Sequence, residues 1–247
     1  MREIDAGQLH YKDLNSFVRR AVEKGEERIV LANVNGHRYI GGGLRCERPM
    51  TIDVHGVAGN DLASFMNGPI TIRVHGNAQD AAGNTMNEGT ILIEGDAGDV
   101  LGYGMRGGRL YVRGNAGYRV AIHMKEYGER HPIVVIGNVV QAFLGEYMAG
   151  GTLVVLGLDL ASGAPLCGRN LATGMHGGRI FLRGEPPVRP GPETRLDELD
   201  DEDWGRLEPV LEDFRVRMNL PAVSFSRSEF VILEPVSARP YGNVYAY

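Results

Sequence analysis

Short aliphatic runs, each closed by a glycine, recur along the middle of the chain. With Gly56, Gly76, Gly95, Gly114, Gly137, Gly157 and Gly184 as the closing residues, the steps between runs are 20, 19, 19, 23, 20 and 27 residues. Four positions before each glycine stand Ile52, Ile72, Ile91, Leu110, Ile133, Leu153 and Ile180, and two before stand Val54, Val74, Ile93, Val112, Val135, Val155 and Leu182. The positions between them vary freely, as in Asp53, Arg73, Tyr111, His55, His75, Glu94, Arg113 and Arg183. Alternation with a period of two marks strands with one buried face. Strands that repeat at this step, with no hairpin return of equal strength between them, must stack in parallel. The pattern therefore predicts an all-β fold, a single-stranded, right-handed parallel β-helix of about six to seven turns over residues 50–184.

The glycines and methionines keep the same beat. Gly95, Gly98 and Gly102 form a full GxxGxxxG set, and Gly114, Gly117 and Ala121 keep it with a small residue at the last place. Such positions suit tight corners, where positive φ is open to glycine and backbones approach closely. Met66, Met86, Met105 and Met124 each follow their glycine by ten residues, and Met148 and Met175 continue the series. Adaptable thioether side chains at these places read as filling of the coil interior rather than as metal ligands. Two turns break the alternation: by spacing, Val134, Ile136, Val154 and Leu156 face outward although they are apolar. A surface of this kind needs a cover, either this chain's own C-terminal helix or N-terminal segment, or a partner subunit.

The flanks read differently. In residues 1–49, Leu14, Phe17, Val18, Ala21 and Val22 share one side of a helix ending near Gly25, and RIVLANV and HRYIGGGL follow around Asn35-Gly36 as a hairpin or as the first turn of the coil. This segment caps one end. Residues 185–247 begin with the Pro-rich EPPVRPGPE, continue as a helix from about Asp203 to Met218 with Leu207, Val210, Leu211 and Phe214 on one face, and end in the extended segments SEFVILEP and RPYGNVYAY. Pro209 predicts that the helix starts there or is kinked. The apolar end of the chain is expected to return to the rod or to meet a partner.

Composition sharpens this picture. Of the 35 glycines, 29 lie between Gly41 and Gly184, so the excess belongs to the repeat, without the period or the proline content of collagen. Residues 1–184 carry 19 basic and 18 acidic side chains, whereas residues 185–247 carry 7 and 13. The acidic run around LDELDDEDW reads as a solvated helix start. Dispersed basic groups disfavour nucleic acid. Cys46 and Cys167 are far apart and lack CxxC spacing, which argues against a zinc ribbon, an iron–sulfur cluster or a disulfide scaffold and fits a reducing, cytoplasmic setting. No apolar run approaches the length of a membrane span, and MREIDAGQLH lacks a signal-peptide core.

Candidate chemistry is sparse. The literal GxGxxG of Gly102–Gly107 follows a strand but leads into another strand, RLYVRG, rather than opening the helix a dinucleotide site requires. His55 and His75 occupy equivalent positions on successive turns and are expected to stack as a surface ladder, without the third ligand a metal needs. His123 and His176 flank Met124 and Met175 and are expected to hydrogen-bond the turn backbone. Cys167 has no recognisable base beside it, and nothing marks Glu126 and Glu146 as a glycosidase pair. No catalytic, cofactor-binding or metal-ligating residue is assigned, and function is expected on a surface; the alternative is an independent enzyme or ligand-binding β-helix that uses a groove beside the loop Leu158 to Ala172.

The motifs GNDLASFM, GNAQDAAGNTMNEG, GDAGDVLGYGMRGG, GYRVAIHMKEY, FLGEYMAGG and ATGMHGGRIFLRG resemble the GXGXG β-helix domain at the C-terminus of the glutamate synthase large subunit. From Ile4 through YKDLN and NVNGHRYIGGGL to RPYGNVYAY, the chain resembles the stand-alone subunit form of that domain. The resemblance to the C subunit of formylmethanofuran dehydrogenase is weaker and mostly confined to the glycine repeat. Ala63 and Ala121 stand where the family has corner glycines. The resemblance implies a non-catalytic scaffold that holds a glutaminase-type amidotransferase subunit and a synthase subunit in register, with FMN and iron–sulfur clusters on the partners and none on this chain. N-methylglutamate synthase uses a similar subunit, and a homo-oligomer is also compatible.

Overall fold

A computed structural model describes residues 1–238. Nine strands stack in parallel register: β1 (Arg2–Asp5), β2 (Arg28–His37), β3 (Met50–Ala58), β4 (Ile70–His75), β5 (Thr90–Ile93), β6 (Arg109–Val112), β7 (Ile133–Ile136), β8 (Ala149–Val155) and β9 (Gly177–Arg183). They form one wall of a parallel β-solenoid of about six turns. Because β2 pairs in parallel with β3, residues 28–37 belong to the coil and are not half of a hairpin. The interior is apolar throughout: Ile52, Ile72, Ile91, Leu110, Leu153 and Ile180 are fully buried, as are Met66, Met86, Met105, Met124, Met148 and Met175.

The spacing reading is overturned at β7. Leu110 pairs with Val134 and Val112 with Ile136, so Val134 and Ile136 point into the coil, whereas Ile133 and Val135 face outward. The cause is the extra length between Gly114 and Gly137, which carries an excursion closed by the Tyr127–Arg130 bridge and returns the strand one residue nearer its glycine. With a side-chain period of two, that single step exchanges the faces. Val154 and Leu156 do face outward.

The wall opposite the strands has an unusual backbone. On seven successive turns three alternate residues adopt left-handed φ: Tyr39, Gly41 and Gly43 on the first, Asp61, Ala63 and Phe65 on the next, and so on to Asn170, Ala172 and Gly174. On the first six of these turns the outer two N–H groups of the trio donate to the following turn, as in Asp61 to Asp80 (2.9 Å) and Phe65 to Asn84 (2.9 Å), and from the second turn onward the middle one donates to the preceding turn, as in Gly83 to Leu62 (2.9 Å). Left-handed backbone disfavours a side chain by about 1 kcal/mol or more, which these inter-turn bonds offset. The middle residue points inward and must be small. A Cβ at Gly145 would stand 2.5 Å from Ile180 Cδ1, whereas Ala63, Ala121 and Ala172 fit with no exposure.

The closing glycines divide between the two causes expected at corners, and Gly56, Gly157 and Gly184 are the ones that adopt positive φ. Gly76, Gly95, Gly114 and Gly137 are absent from the left-handed set. They are glycines because the backbone of the preceding turn, or an Asn or Asp side chain on it, already fills the place of a Cβ. At Gly76 that atom is the Gly56 carbonyl oxygen, 2.5 Å away.

Both ends are closed. Helix α1 (Tyr11–Glu23) is capped by His10 and buries Leu14, Val18, Ala21 and Val22 against the first turn. At the other end β11 (Phe230–Pro235) runs antiparallel to β9 and to β10 (Thr194–Glu198), so the apolar SEFVILEP segment returns to the rod. Pairing β9 removes an open edge. Between them lies α2 (Asp201–Arg217), capped by the Asp200–Asp203 capping box with Asp201, Glu202 and Asp203 in its first turn. The helix therefore starts before Pro209, which it contains. The terminal RPYGNVYAY lies outside the described residues.

Candidate functional site

The apolar outer face of the strand wall is already occupied by the chain itself. Leu207, Leu211, Phe214 and Met218 of α2, with Phe230 and Ile232 of β11, form a second core over Leu92, Tyr111, Val135, Val154, Leu156 and Phe181. Phe214 meets the Tyr111 ring edge-on at 5.5 Å, and the Tyr111 hydroxyl donates to Asp213 at 2.8 Å. Burial, and then the neighbouring Asp213 carboxylate, push the Tyr111 phenol well above its ordinary range. Of the four residues read as a partner surface, Val154 and Leu156 lie beneath this cover and Val134 and Ile136 inside the coil.

The left-handed wall carries exposed rings. Tyr39, Phe65, Tyr103 and Tyr147 are 38–55% exposed along it. His123 bridges two of them, edge-on to Tyr103 at 5.8 Å and stacked on Tyr147 at 5.3 Å. Arg38 lies over Tyr39 and Arg119 over Phe143. Rings and guanidinium groups of this kind are what protein interfaces enrich. His123 thus serves ring stacking, whereas His176 does bond a turn carbonyl, that of Gly174, at 3.1 Å.

Two ladders of Asn and Asp run beside the closing glycines. Asn77, Asp96, Asn115 and Asn138 each accept from the backbone or the amide group of the next rung, as in Asp96 N–H to Asn77 (2.9 Å) and Asn115 N–H to Asp96 (2.7 Å). Asn60, Asp80 and Asp99 repeat the arrangement to Tyr118. These side chains are tied to backbone donors, and the shallow groove between the ladders is part of how the turns are joined.

His55 and His75 stack with centroids 4.5 Å apart. His75 sits between Asp53 and Glu94, 3.1 Å from each, while Arg28 reaches Asp53 at 2.8 Å and Arg73 reaches Glu94 at 2.9 Å. Desolvation opposes ionisation of Asp53, but the hydrogen bonds from His75 and Arg28 outweigh it and hold the carboxyl below its ordinary value. Among the described residues no group of three or more His, Cys, Asp or Glu is arranged to hold a metal ion. Cys167 is buried, which pushes its thiol up to about 11. Gly102 and Gly104 belong to the left-handed wall, so the GxGxxG run is a turn of the coil.

A model of the GXGXG motif family matches residues 20–190. The uncharacterized protein MJ1350 of Methanocaldococcus jannaschii is 44% identical over 98% of this chain and 95% of its own length. The chain belongs to the GXGXG family. Among solved structures, a chain of the formyltransferase/hydrolase complex of Methylorubrum extorquens, determined with methylofuran, shares the fold at a TM-score of 0.60 and 22% identity, covering 89% of this chain and 87% of that one. No helix among the described residues is long and apolar enough to cross a membrane.

The aromatic strip of this GXGXG coil was missed on sequence, although a signal existed. Phe65, His123 and Tyr147 each immediately precede one of the periodic methionines, at the place where Gly104 and Gly174 stand on other turns. A second missed feature is a relay of three side chains. Glu126 Oε1 lies 2.7 Å from His131 Nδ1, and His131 Nε2 lies 2.8 Å from Thr152 Oγ1. Glu126 and His131 come from the excursion before β7, and Thr152 from β8.

Proposed function

We propose that this chain is a non-catalytic structural subunit of a multi-subunit, oxidoreductase-type complex, and that it docks its partners on the aromatic face of the left-handed wall. The observation that carries this reading is the strip from Tyr39 to Tyr147, in which bulky rings are kept exposed, those of Tyr39, Phe65 and Tyr147 on left-handed backbone that favours glycine. The coil does not require rings at Phe65, His123 and Tyr147, since Gly43, Gly104 and Gly174 fill the same column on other turns. The motif resemblance favours the glutamate synthase-like complex, with a glutaminase-type amidotransferase and an FMN and iron–sulfur synthase subunit as partners. In that setting the rod fixes the distance between an ammonia-producing and an ammonia-consuming site. A second reading, a subunit of a formyl-transferring complex, is supported by the shared fold with a chain of the formyltransferase/hydrolase complex.

Co-expression with each candidate set of partners tests both. Stable co-purification with amidotransferase and flavoprotein subunits, weakened by Phe65→Asp or Tyr147→Asp, supports the first reading. Co-purification only with formyl-transferring subunits supports the second. A chain that remains alone with every set refutes the subunit reading.

A further inference from the structure

A cavity of about 420 Å³ opens between the strand wall and α2, close to the end of β11. Its volume falls in the range of small-molecule sites, about 300–1,000 Å³. The floor is apolar, built from Ile133 and Phe181 of the coil and Val210 of the helix. One side is lined by Glu126, His131 and Thr152, joined to one another through the His131 ring. The other carries two guanidinium groups from different elements, Arg179 of β9 and Arg206 of α2.

Each of these arginines has one carboxylate neighbour on the protein. Arg179 Nε is buried and makes no hydrogen bond. Glu234 lies 3.0 Å from it but out of line with the N–H, and the same carboxylate receives Arg195 at 2.6 Å. Arg206 is tied to Glu202 one turn back on its own helix. Among the described residues no carboxylate bridges the two arginines, although both line one space. The Arg179 Nε is itself closed off from the space, so a ligand there would meet the outer guanidinium nitrogens, which suit carboxylates in a forked geometry.

We propose that this cavity binds a small organic carboxylate, its anionic end between Arg179 and Arg206, its apolar body on Ile133, Phe181 and Val210, and a hydrogen-bonding edge toward Thr152 and His131. The inference goes beyond the subunit reading and does not depend on it, because the site lies wholly within this chain. Its occupant would also tie α2 to the coil.

Benzoate is the probe, titrated into the isolated chain by calorimetry and by ligand-observed NMR, with benzyl alcohol and sulfate as comparisons. Benzoate is expected to bind with a Kd of about 1 mM or tighter, benzyl alcohol and sulfate at least about tenfold more weakly. Arg206→Gln and Arg179→Gln should each weaken benzoate about tenfold or more, while Arg215→Gln, which breaks a pair with Glu212 elsewhere on α2, should leave it unchanged. Circular dichroism melts establish that the variants are folded, and two separate arginine variants guard against the loss of either one. Absence of benzoate binding to the wild-type chain, unchanged affinity in both arginine variants, or sulfate binding as tightly as benzoate would overturn the proposal. Benzoate binding in a chain that ignores every candidate partner would uphold this site while refuting the subunit reading.

Discussion

Gly145→Ala tests how the two walls of the coil fit together. Gly145 lies in the middle column of the left-handed wall, with φ of 66°, and an added Cβ would meet Ile180 Cδ1 at 2.5 Å, with Ile180 Cγ1 at 3.6 Å and Leu153 Cδ2 at 3.8 Å. Alanine itself is compatible with the column, since Ala63, Ala121 and Ala172 occupy it on other turns. The backbone term is about 1 kcal/mol and overpacking against Ile180 adds about 1–3 kcal/mol. Ile180→Val removes only the offending Cδ1 and leaves the remaining contacts at ordinary van der Waals distance, at a cost of about 1 kcal/mol by itself. The double variant should therefore be more stable than the sum of the singles predicts, by about 1–2 kcal/mol, in a double-mutant cycle measured by urea unfolding. Additive effects, with no rescue by Ile180→Val, would refute the pairing of this column with β9.

Two further outcomes follow from the faces of the strands and from the histidine cluster. Val112→Asp puts a carboxylate into the closed interior and should destabilise by several kcal/mol, whereas Arg113→Asp, on the outer face where it loses a 2.8 Å pair with Asp159, should cost about 1 kcal/mol or less in thermal melts. Asp53 has a folded pKa held below its unfolded value, near 3.9. Its contribution is therefore complete above that value and lost as pH falls through the folded pKa, so Asp53→Asn should flatten the acid limb of stability below about pH 4. An unchanged acid limb would show that the His75 and Arg28 bonds do not hold in solution.

The strand wall was legible because its signal is local: an aliphatic residue at every second position and a step near 20 residues need no knowledge of contacts. The same arithmetic failed at β7, where Val134 and Ile136 turn inward, since the glycine rather than the strand had been used as the ruler and the excursion before it shifts one against the other. Strand β10 was hidden in an acidic, proline-flanked stretch and exists because β11 offers it an edge. The left-handed wall was half visible, as glycines at Gly41, Gly83, Gly102 and Gly145, but Val100, Phe65 and Phe143 in equivalent conformations contradict their own preferences. Tertiary hydrogen bonds between turns decide that conformation. The cavity beside α2 draws on residues from the excursion, three strands and a helix, and only the cover of α2 over the coil brings Thr152 and Arg206 to one space.

The central claim is that the aromatic wall is a subunit interface. Its most direct test is the mass in solution of this chain co-expressed with amidotransferase and flavoprotein partners, for the wild type and for Phe65→Asp, Tyr147→Asp and the α2 control Val216→Asp, which changes a residue 63% exposed on the far face. The account predicts a stoichiometric complex for the wild type and Val216→Asp, and dissociation to the free chain for Phe65→Asp and Tyr147→Asp with the fold intact. A complex that survives both aromatic variants, or a wild-type chain that stays free, would contradict it.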